Sequence, residues 1–280
     1  TVTGVVFESK SGRQAIEAGV VIDCTGDGDV FASAGADYDA APDPGLRSSK
    51  LALVFRLGNV DVPEYVAFKT GRPQDYAACM KKLEGLGGFT MPLLSWRDDI
   101  VWFNSFIGGR SGLDVADLTR VEIDARKSML LTLRYFRDNI PGFRDALLID
   151  TASQIGVRSS RRLVGAHVLT GEDLNAGTVF EDTIAVCPTF LPDRSPEGRR
   201  MHVPYRSLLP GTVENLLAAG RCFSSDPVAN DLLSPIQFCI AMGQAAGTAA
   251  ALAVSTGTVP RRIDFALLRE RLMAQVVHLP

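Results

Sequence analysis

Residues 230–254, NDLLSPIQFCIAMGQAAGTAAALAV, limit the possible folds of this chain more than any other segment. Beyond the Ser-Pro pair the segment has no Pro and no charged residue, and its second half is mostly Gly and Ala. About twenty helical residues would span roughly 30 Å. The small residues at Gly243, Ala246, Gly247 and Ala250 predict that another backbone packs closely on this helix.

The start of this segment carries the signals of a helix N-terminus. Ser234 is a favourable N-cap residue, Pro235 suits the first helical position, and Gln237 at the third completes a Ser-x-x-Gln capping box. Gly257 supplies a stop because Gly adopts the left-handed conformation without strain. The free amides and the positive dipole end of such a helix favour an anion, even if the helix is otherwise an ordinary buried core element.

A stretch of this length and composition could also cross a membrane. Gln237, Gln244 and Thr248 interrupt it, and no Arg or Lys flanks its start, so we expect a buried helix and no membrane partner. The net charge of −3 gives no basic surface for nucleic acid. Five dispersed cysteines without a CxxC pair favour reduced thiols and a cytoplasmic location.

The first thirty residues predict two strands joined by a turn at Lys10-Ser11-Gly12, followed by a third apolar strand over residues 19–22. Because a domain rarely begins inside a hairpin, we interpret Thr1 as the start of a fragment or of one chain of a split protein. The pattern further predicts strands, amphipathic helices and a loop-like tract. The strands are 51–57, 100–107, several within 147–169, and 215–219; the helices are 76–83, 113–139 and one capped by Asp264; the tract is 188–204.

Several motifs resemble those of two-dinucleotide-fold flavoproteins. VVIDCTGDGDV resembles their "ATG" strand-to-loop segment, and NLLAAGRCFS followed by LLSPIQFCIAMGQAAG resembles their C-terminal flavin segment. IGVRSSRRLVGAHVLTGEDL and HVPYRSLLP resemble the insert of bacterial FAD-dependent oxidoreductases related to fumarate reductase flavoproteins. The order and spacing of these motifs cover nearly the whole chain.

The resemblance implies an α/β fold, in which a partial FAD-binding Rossmann-like domain is interrupted by an α+β substrate domain. The implied boundaries are 1–45 and 211–280 for the FAD-binding parts and 46–210 for the substrate or cap domain. The family also needs a strand–GxGxxG–helix unit for the FAD pyrophosphate, which this sequence lacks: GDGDVF has Phe at the third Gly position, and GLGGFT follows a helical stretch. We therefore expect a partner polypeptide of roughly 150 to 200 residues that carries GxGxxG.

The implied cofactor is FAD, held where two strands end and the long helix begins. A Gly-containing turn lets backbone approach a ligand closely, and a planar Arg could meet the pyrophosphate. The alternative for the Gly-containing turn is a simple turn followed by a helix cap, and the alternative for the Arg is an ordinary surface position. The implied cofactor-binding residues are Cys24, Thr25, Gly26, Asp27, Gly220, Arg221, Ser234, Pro235, Ile236 and Gln237.

The substrate site is expected in the insert. Arg158 and Arg161 would lie on opposite faces of a strand, and one of them could clasp a carboxylate with two hydrogen bonds. His202 and Tyr205 are candidate proton donors, whereas His167 lies in an apolar strand and is interpreted as structural. Surface charge or a satisfied polar residue is the alternative for each of them.

These observations predict a flavoprotein oxidoreductase subunit or fragment. It would transfer hydride between flavin N5 and a carbon of a small organic acid or carbonyl compound. Two other classes stay open: a non-catalytic fragment that completes the fold of a partner chain, and a hydrolase with Thr1 as N-terminal nucleophile.

Overall fold

A computed structural model describes residues 1–188 and 200–280, which form two compact units. The first unit combines Thr1–Ser49 with Ser159–Pro280, and the second is the insert Lys50–Arg158. The insert therefore ends well before residue 210, where the sequence-based boundary was drawn. The reason is that the described residues 159–188 and 200–210 belong to the first unit.

The strands, in chain order, are β1 (Gly4–Ser9), β2 (Gly12–Glu17), β3 (Val21–Asp23), β4 (Tyr38–Asp39), β5 (Leu51–Ala52), β6 (Val54–Gly58), β7 (Pro92–Leu94), β8 (Ile100–Asn104), β9 (Leu147–Thr151), β10 (Gly156–Val157), β11 (Arg162–Leu163), β12 (Thr183–Pro188), β13 (Arg200–Pro204) and β14 (Leu216–Ala218). The helices are α1 (Asp29–Ser33), α2 (Val62–Gly71), α3 (Pro73–Gly85), α4 (Val115–Asn139), α5 (Gly171–Ala176), α6 (Pro227–Leu233), α7 (Ile236–Ser255) and α8 (Phe265–Ala274). Short 3₁₀ turns cover Arg47–Ser49, Tyr205–Leu208 and Pro260–Arg262.

The centre of the first unit is a parallel pair formed by β3 and β14, which are far apart in the sequence. Leu216 pairs with Val21, and Ala218 pairs with Asp23. Both strands are largely buried because their side chains are apolar, with Asp23 as the exception. The predicted N-terminal hairpin is confirmed as β1–β2, which turns at residues 10–11.

The long apolar helix α7 is confirmed, and one of its faces packs on β3, β14 and β12, the last of which pairs with β13. Its buried face includes Phe238, Met242 and Ala246. Gly243 and Gly247, which were expected on the packed face, have open space around the position of a side chain. Among the described residues α7 is also the helix that is long and apolar enough to cross a membrane, although core helices pass the same test.

The predicted capping box at the start of α7 is wrong. Ser234 is instead the C-cap of α6, and its amide donates to the Asn230 carbonyl at 2.9 Å. Pro235 is the N-cap of α7, and no side chain caps it. Two helices follow each other here without a loop, so Ser234 is committed to the first helix. The predicted stop is confirmed, because Gly257 has a φ of 66°.

The insert is a four-stranded antiparallel sheet, ordered β7-β8-β6-β9, whose core side packs on α4. Phe55 and Phe103 stack with ring centroids 4.9 Å apart, and Phe136 of α4 meets Phe103 edge-on at 4.9 Å. The helices predicted at 76–83 and 113–139 are confirmed with shifted ends, and the strand predicted over 100–107 ends at Asn104. Of the predicted tract 188–204, residues 200–204 are a strand, while 189–199 lie outside the described residues.

Candidate functional site

A cavity of about 480 Å³ opens where the carboxyl ends of β3 and β14 meet the start of α7. Ligands of open α/β sheets bind outside the carboxyl ends of the strands. Seven of the ten predicted cofactor residues line this cavity; Asp27, Pro235 and Gln237 do not. The lining consists of Cys24, Thr25, Gly26, Ala219, Gly220, Arg221, Ser234, Ile236, Cys239 and Ile240.

The loop after β3 is shaped by the buried carboxylate of Asp23. Its Oδ1 accepts from the amide and hydroxyl of Thr25 at 3.0 and 2.7 Å. Its Oδ2 accepts from the amides of Val30 and Phe31, in the first turn of α1, at 3.0 and 2.8 Å. Asp23 thus caps α1 from inside the preceding strand. The residue at the N-cap position of α1 is Gly28, which has no side chain that could accept from these amides.

Gly26 and Arg221 face each other across the two strand ends. Gly26 has a φ of 80°, which favours glycine. A Cβ at this position would lie 2.9 to 3.1 Å from the guanidinium atoms of Arg221. The close approach that Gly26 permits is therefore the approach of Arg221, and not directly that of a ligand as the sequence suggested.

Arg221 is held by a carboxylate just behind the cavity wall. Its Nη1 donates to Asp27 Oδ1 at 2.7 Å, and Ser160 Oγ donates to the same oxygen at 2.5 Å. Burial alone would raise the pKa of Asp27, but the hydrogen bonds from Arg221 and Ser160 and the charges of Arg221 and Arg161 hold it below its ordinary value. Asp27 therefore remains an anion beside the cavity.

The start of α7 presents backbone donors at the same place. The carbonyl of Pro235 accepts from Phe238 and Cys239 at 3.1 and 3.2 Å, so the amides of Ile236 and Gln237 precede the first bonds of the helix. Ile236 lines the cavity and is 78% exposed. This end of α7 also carries the positive end of the helix dipole.

Sequence reasoning missed three lining residues: Ala219, Cys239 and Ile240. Cys239 and Ile240 lie three and four positions after Ile236, which is the spacing of one helix face, so helical periodicity could have found them. The thiol of Cys239 donates to the Ser234 carbonyl at 3.3 Å. Burial raises the pKa of the Cys239 thiol, and burial followed by the charge of Asp23 raises that of Cys24.

The two candidate substrate arginines fall in different units, so the expected shared strand is wrong. Arg161 Nη1 donates to the Asp27 carbonyl at 3.0 Å and to Asp29 Oδ1 at 2.8 Å. Arg158 ends the insert unit, where its Nη2 donates to Asn104 Oδ1 at 2.9 Å and its guanidinium lies 4.8 Å from the Phe106 ring centroid. Their assignment to a substrate carboxylate stays a prediction.

The two candidate proton donors lie among core residues of the first unit and do not line the cavity. Tyr205 donates its hydroxyl to the Pro260 carbonyl at 2.9 Å, and burial raises its pKa. His202 is buried on β13, and burial followed by the charge of Arg200 lowers its pKa. Its Nδ1 has no hydrogen-bond partner in residues 1–188 and 200–280. The contacts of Tyr205 are those of a structural residue.

A larger cavity of about 810 Å³ lies within the insert. Six carboxylates and two arginines line it, so its charge opposes an anionic dinucleotide. The lining acids are Asp61, Glu64, Asp98, Asp99, Asp138 and Asp145.

Comparison with known proteins identifies the family of the chain. The family model described as FAD dependent oxidoreductase matches residues 1–272. The chain belongs to this family. FAD is accordingly the cofactor of this FAD dependent oxidoreductase. Neither the curated proteins nor the solved structures yield a match to the chain.

The residues of the first cavity fit part of FAD. Its volume lies in the range of small-molecule sites, roughly 300 to 1,000 Å³. Arg221 supplies a planar cation, and the start of α7 supplies amide donors and a positive dipole end. Donors of this kind match the phosphates and the carbonyl edge of a flavin nucleotide. The FAD dependent oxidoreductase therefore holds a chemically suitable wall for its cofactor in the first unit.

Proposed function

We propose that this chain is the flavin-facing part of an oxidoreductase that acts on a small organic acid or carbonyl compound. The observation that carries the proposal is the convergence of Gly26, Arg221 and the start of α7 on one cavity at the carboxyl ends of β3 and β14. When bound there, FAD would supply hydride exchange between its N5 atom and a substrate carbon. The protein is proposed to act in the cytoplasm, with its thiols reduced.

The residues of this chain would bind and orient the cofactor. Arg221 would meet the pyrophosphate with its planar fork. The amides of Ile236 and Gln237 would face the pyrimidine edge of the flavin, where a positive dipole end favours the reduced, anionic form. The apolar side chains of Ile236 and Ile240 would restrict the access of water to the ring.

Flavin titration tests the placement. Arg221→Ala should weaken FAD binding, measured by the change in flavin absorbance or fluorescence. The matched control is Arg262→Ala, because Arg262 is an exposed arginine that pairs with Glu214 at 3.2 Å. An equal FAD affinity in Arg221→Ala, Arg262→Ala and the unmodified protein would place the cofactor elsewhere.

The substrate class can be tested by flavin reduction under anaerobic conditions with a panel of small hydroxy acids and carbonyl compounds. A substrate deuterated at the reacting carbon should bleach the flavin more slowly than the unlabelled compound if hydride transfer is the step observed. Arg161→Lys and Arg158→Lys keep the charge and remove the planar fork. A substrate-binding role requires a loss of turnover at unchanged FAD content.

We also propose a partner polypeptide that carries the GxGxxG unit and completes the FAD site. Two observations support it. The parallel sheet in the described part of the chain has two strands. In addition, α7 exposes an apolar and small-residue stripe on the face opposite its packed one, with Ile240 66% exposed. The stripe consists of Ile236, Ile240, Gly243, Gly247 and Val254.

Denaturing mass spectrometry of native material tests the partner directly. We expect a second polypeptide of domain size beside the 30.1 kDa chain. Ile240→Glu should release it, whereas Ile123→Glu, at an exposed apolar position on α4, should not. A native species that contains the 30.1 kDa chain alone and still binds FAD tightly contradicts the proposal.

A further inference from the structure

The position of Arg221 at the cavity is fixed at two points. At its backbone, the Arg221 carbonyl accepts from Nδ2 of the fully buried Asn230 at 2.7 Å. At its side chain, Nη1 donates to Asp27 Oδ1 at 2.7 Å. Between these points the guanidinium lies against Gly26. The side chain is thus held in one orientation before any ligand arrives.

A second segment of the chain takes part in this hold. Ser160 is buried and donates its hydroxyl to Asp27 Oδ1 at 2.5 Å. The same hydroxyl oxygen accepts from Arg221 Nη1 at 3.4 Å. The neighbouring Arg161 donates to the backbone carbonyl of Asp27 at 3.0 Å, and this bond fixes the backbone of Asp27. Ser160 therefore bridges the two members of the ion pair.

Both contacts of the Arg221 fork use the Nη1 atom. A guanidinium has five N–H donors. The remaining donors are on Nε and Nη2, which lie beside Gly26, where a side chain would collide with them. A guanidinium clasps two oxygens of a phosphate with two parallel donors of this kind. An Arg side chain also loses rotamer entropy when it is immobilised. A side chain that is already held avoids much of this cost at the moment of binding.

We propose that Ser160 is a positioning residue of the cofactor site: with Asp27, it holds Arg221 beside Gly26 so that the guanidinium meets the diphosphate of FAD. The inference rests on the proposed function, in which Arg221 binds that group. Ser160 lies directly after the insert, so the segment that leads back into the first unit takes part in the cofactor site.

The effect of Asp27 on FAD affinity distinguishes two possible roles of this carboxylate. If Asp27 merely occupied the anion site, it would compete with the diphosphate, and removing its charge would strengthen FAD binding. If Asp27 and Ser160 orient Arg221, their removal weakens FAD binding. The sign of the effect separates the two arrangements.

The test compares FAD with riboflavin, which has the same ring and no phosphate. Dissociation constants of both are measured by flavin fluorescence for the native protein and for Ser160→Ala. We expect FAD affinity to fall about three- to tenfold, the effect of one hydrogen bond, while riboflavin affinity stays unchanged. Ser160→Thr keeps the hydroxyl and should restore FAD affinity. Ser159→Ala is the control, because Ser159 Oγ contacts Arg162 at 3.5 Å and is not part of the bridge.

Loss of both affinities to the same extent would indicate a general structural defect and overturn the inference, as would tighter FAD binding by Asp27→Asn. If the native protein binds neither flavin, the proposed function fails separately. The positioning itself is then decided by NMR of ¹⁵N-arginine-labelled protein. Hindered rotation of the Arg221 guanidinium that is lost in Ser160→Ala supports it, and free rotation in the native protein refutes it.

Discussion

Replacement of Asp23 by Asn tests the central claim about how the cofactor-site loop is built. Asn has nearly the same shape as Asp but replaces one carboxylate oxygen with an NH₂ group. In the structure each oxygen of Asp23 accepts two hydrogen bonds, one pair from Thr25 and the other from the amides of Val30 and Phe31. Whichever way the Asn side chain turns, its NH₂ group must face one pair of donors.

The expected cost follows from these contacts. Asp23 is fully buried, so water does not replace the lost acceptors. A hydrogen bond to a charged group contributes about 1.5 to 3 kcal/mol, and a buried donor left unpaired costs about 1 to 3 kcal/mol. Because two donors lose their acceptor, we expect Asp23→Asn to lower the free energy of unfolding by roughly 2 to 4 kcal/mol.

Urea denaturation of the two variants and the unmodified protein measures this loss. The control is Asp29→Asn, which removes a carboxylate of the same region whose ion pair with Arg161 is largely exposed on the Asp side. A surface pair of this kind contributes at most about 1 kcal/mol. If Asp23→Asn were no more destabilising than Asp29→Asn, the claim that Asp23 shapes the loop and caps α1 would be refuted.

Three further predictions concern the stability of two variants and the reactivity of the thiols. Gly28→Ala should lower the free energy of unfolding more than Gly35→Ala. Both glycines have positive φ, but only the new Cβ at Gly28 would collide with the ring of Phe31, at 2.1 Å. Equal losses of stability in the two variants would contradict this. Tyr205→Phe should lower stability by about 1 kcal/mol, the contribution of one hydrogen bond, and leave FAD content unchanged; abolished turnover at full stability would instead support its role as a proton donor. A thiol reagent at pH 8 should label the exposed Cys24 before Cys222, whose buried thiol has a pKa raised to about 12. Added FAD should slow the labelling of Cys24, which lines the cavity, and leave that of Cys222 unchanged.

The elements that sequence predicted well are those set by local pattern. The hairpin β1–β2, the amphipathic helix α4 and the long helix α7 each follow from spacing and composition within one segment. Asp264 was predicted to cap the last helix, and its side chain accepts from Ala266 at 2.9 Å. In each case the residues that decide the structure are neighbours in the chain.

The failures arise where a distant segment or an adjoining element decides. Ser234 has the composition of an N-cap, but α6 ends at this residue and uses its amide. Asp23 has the position of a strand residue, and its role as a cap becomes visible only once α1 folds back over it. Ser160 contacts Asp27 across 133 positions of sequence, a separation that no local pattern reports.

The small residues of α7 show both the strength and the limit of the sequence argument. Residues 236, 240, 243, 247 and 254 are spaced by three, four and seven positions, so they share one helix face. A face that met only water would tolerate Lys or Glu at these positions, yet it carries Ile, Gly and Val. The pattern predicted close packing, and the strands of this chain cover the other face. We propose that another polypeptide packs on the exposed face, and Ile240→Glu tests this partner more directly than any change on the buried side.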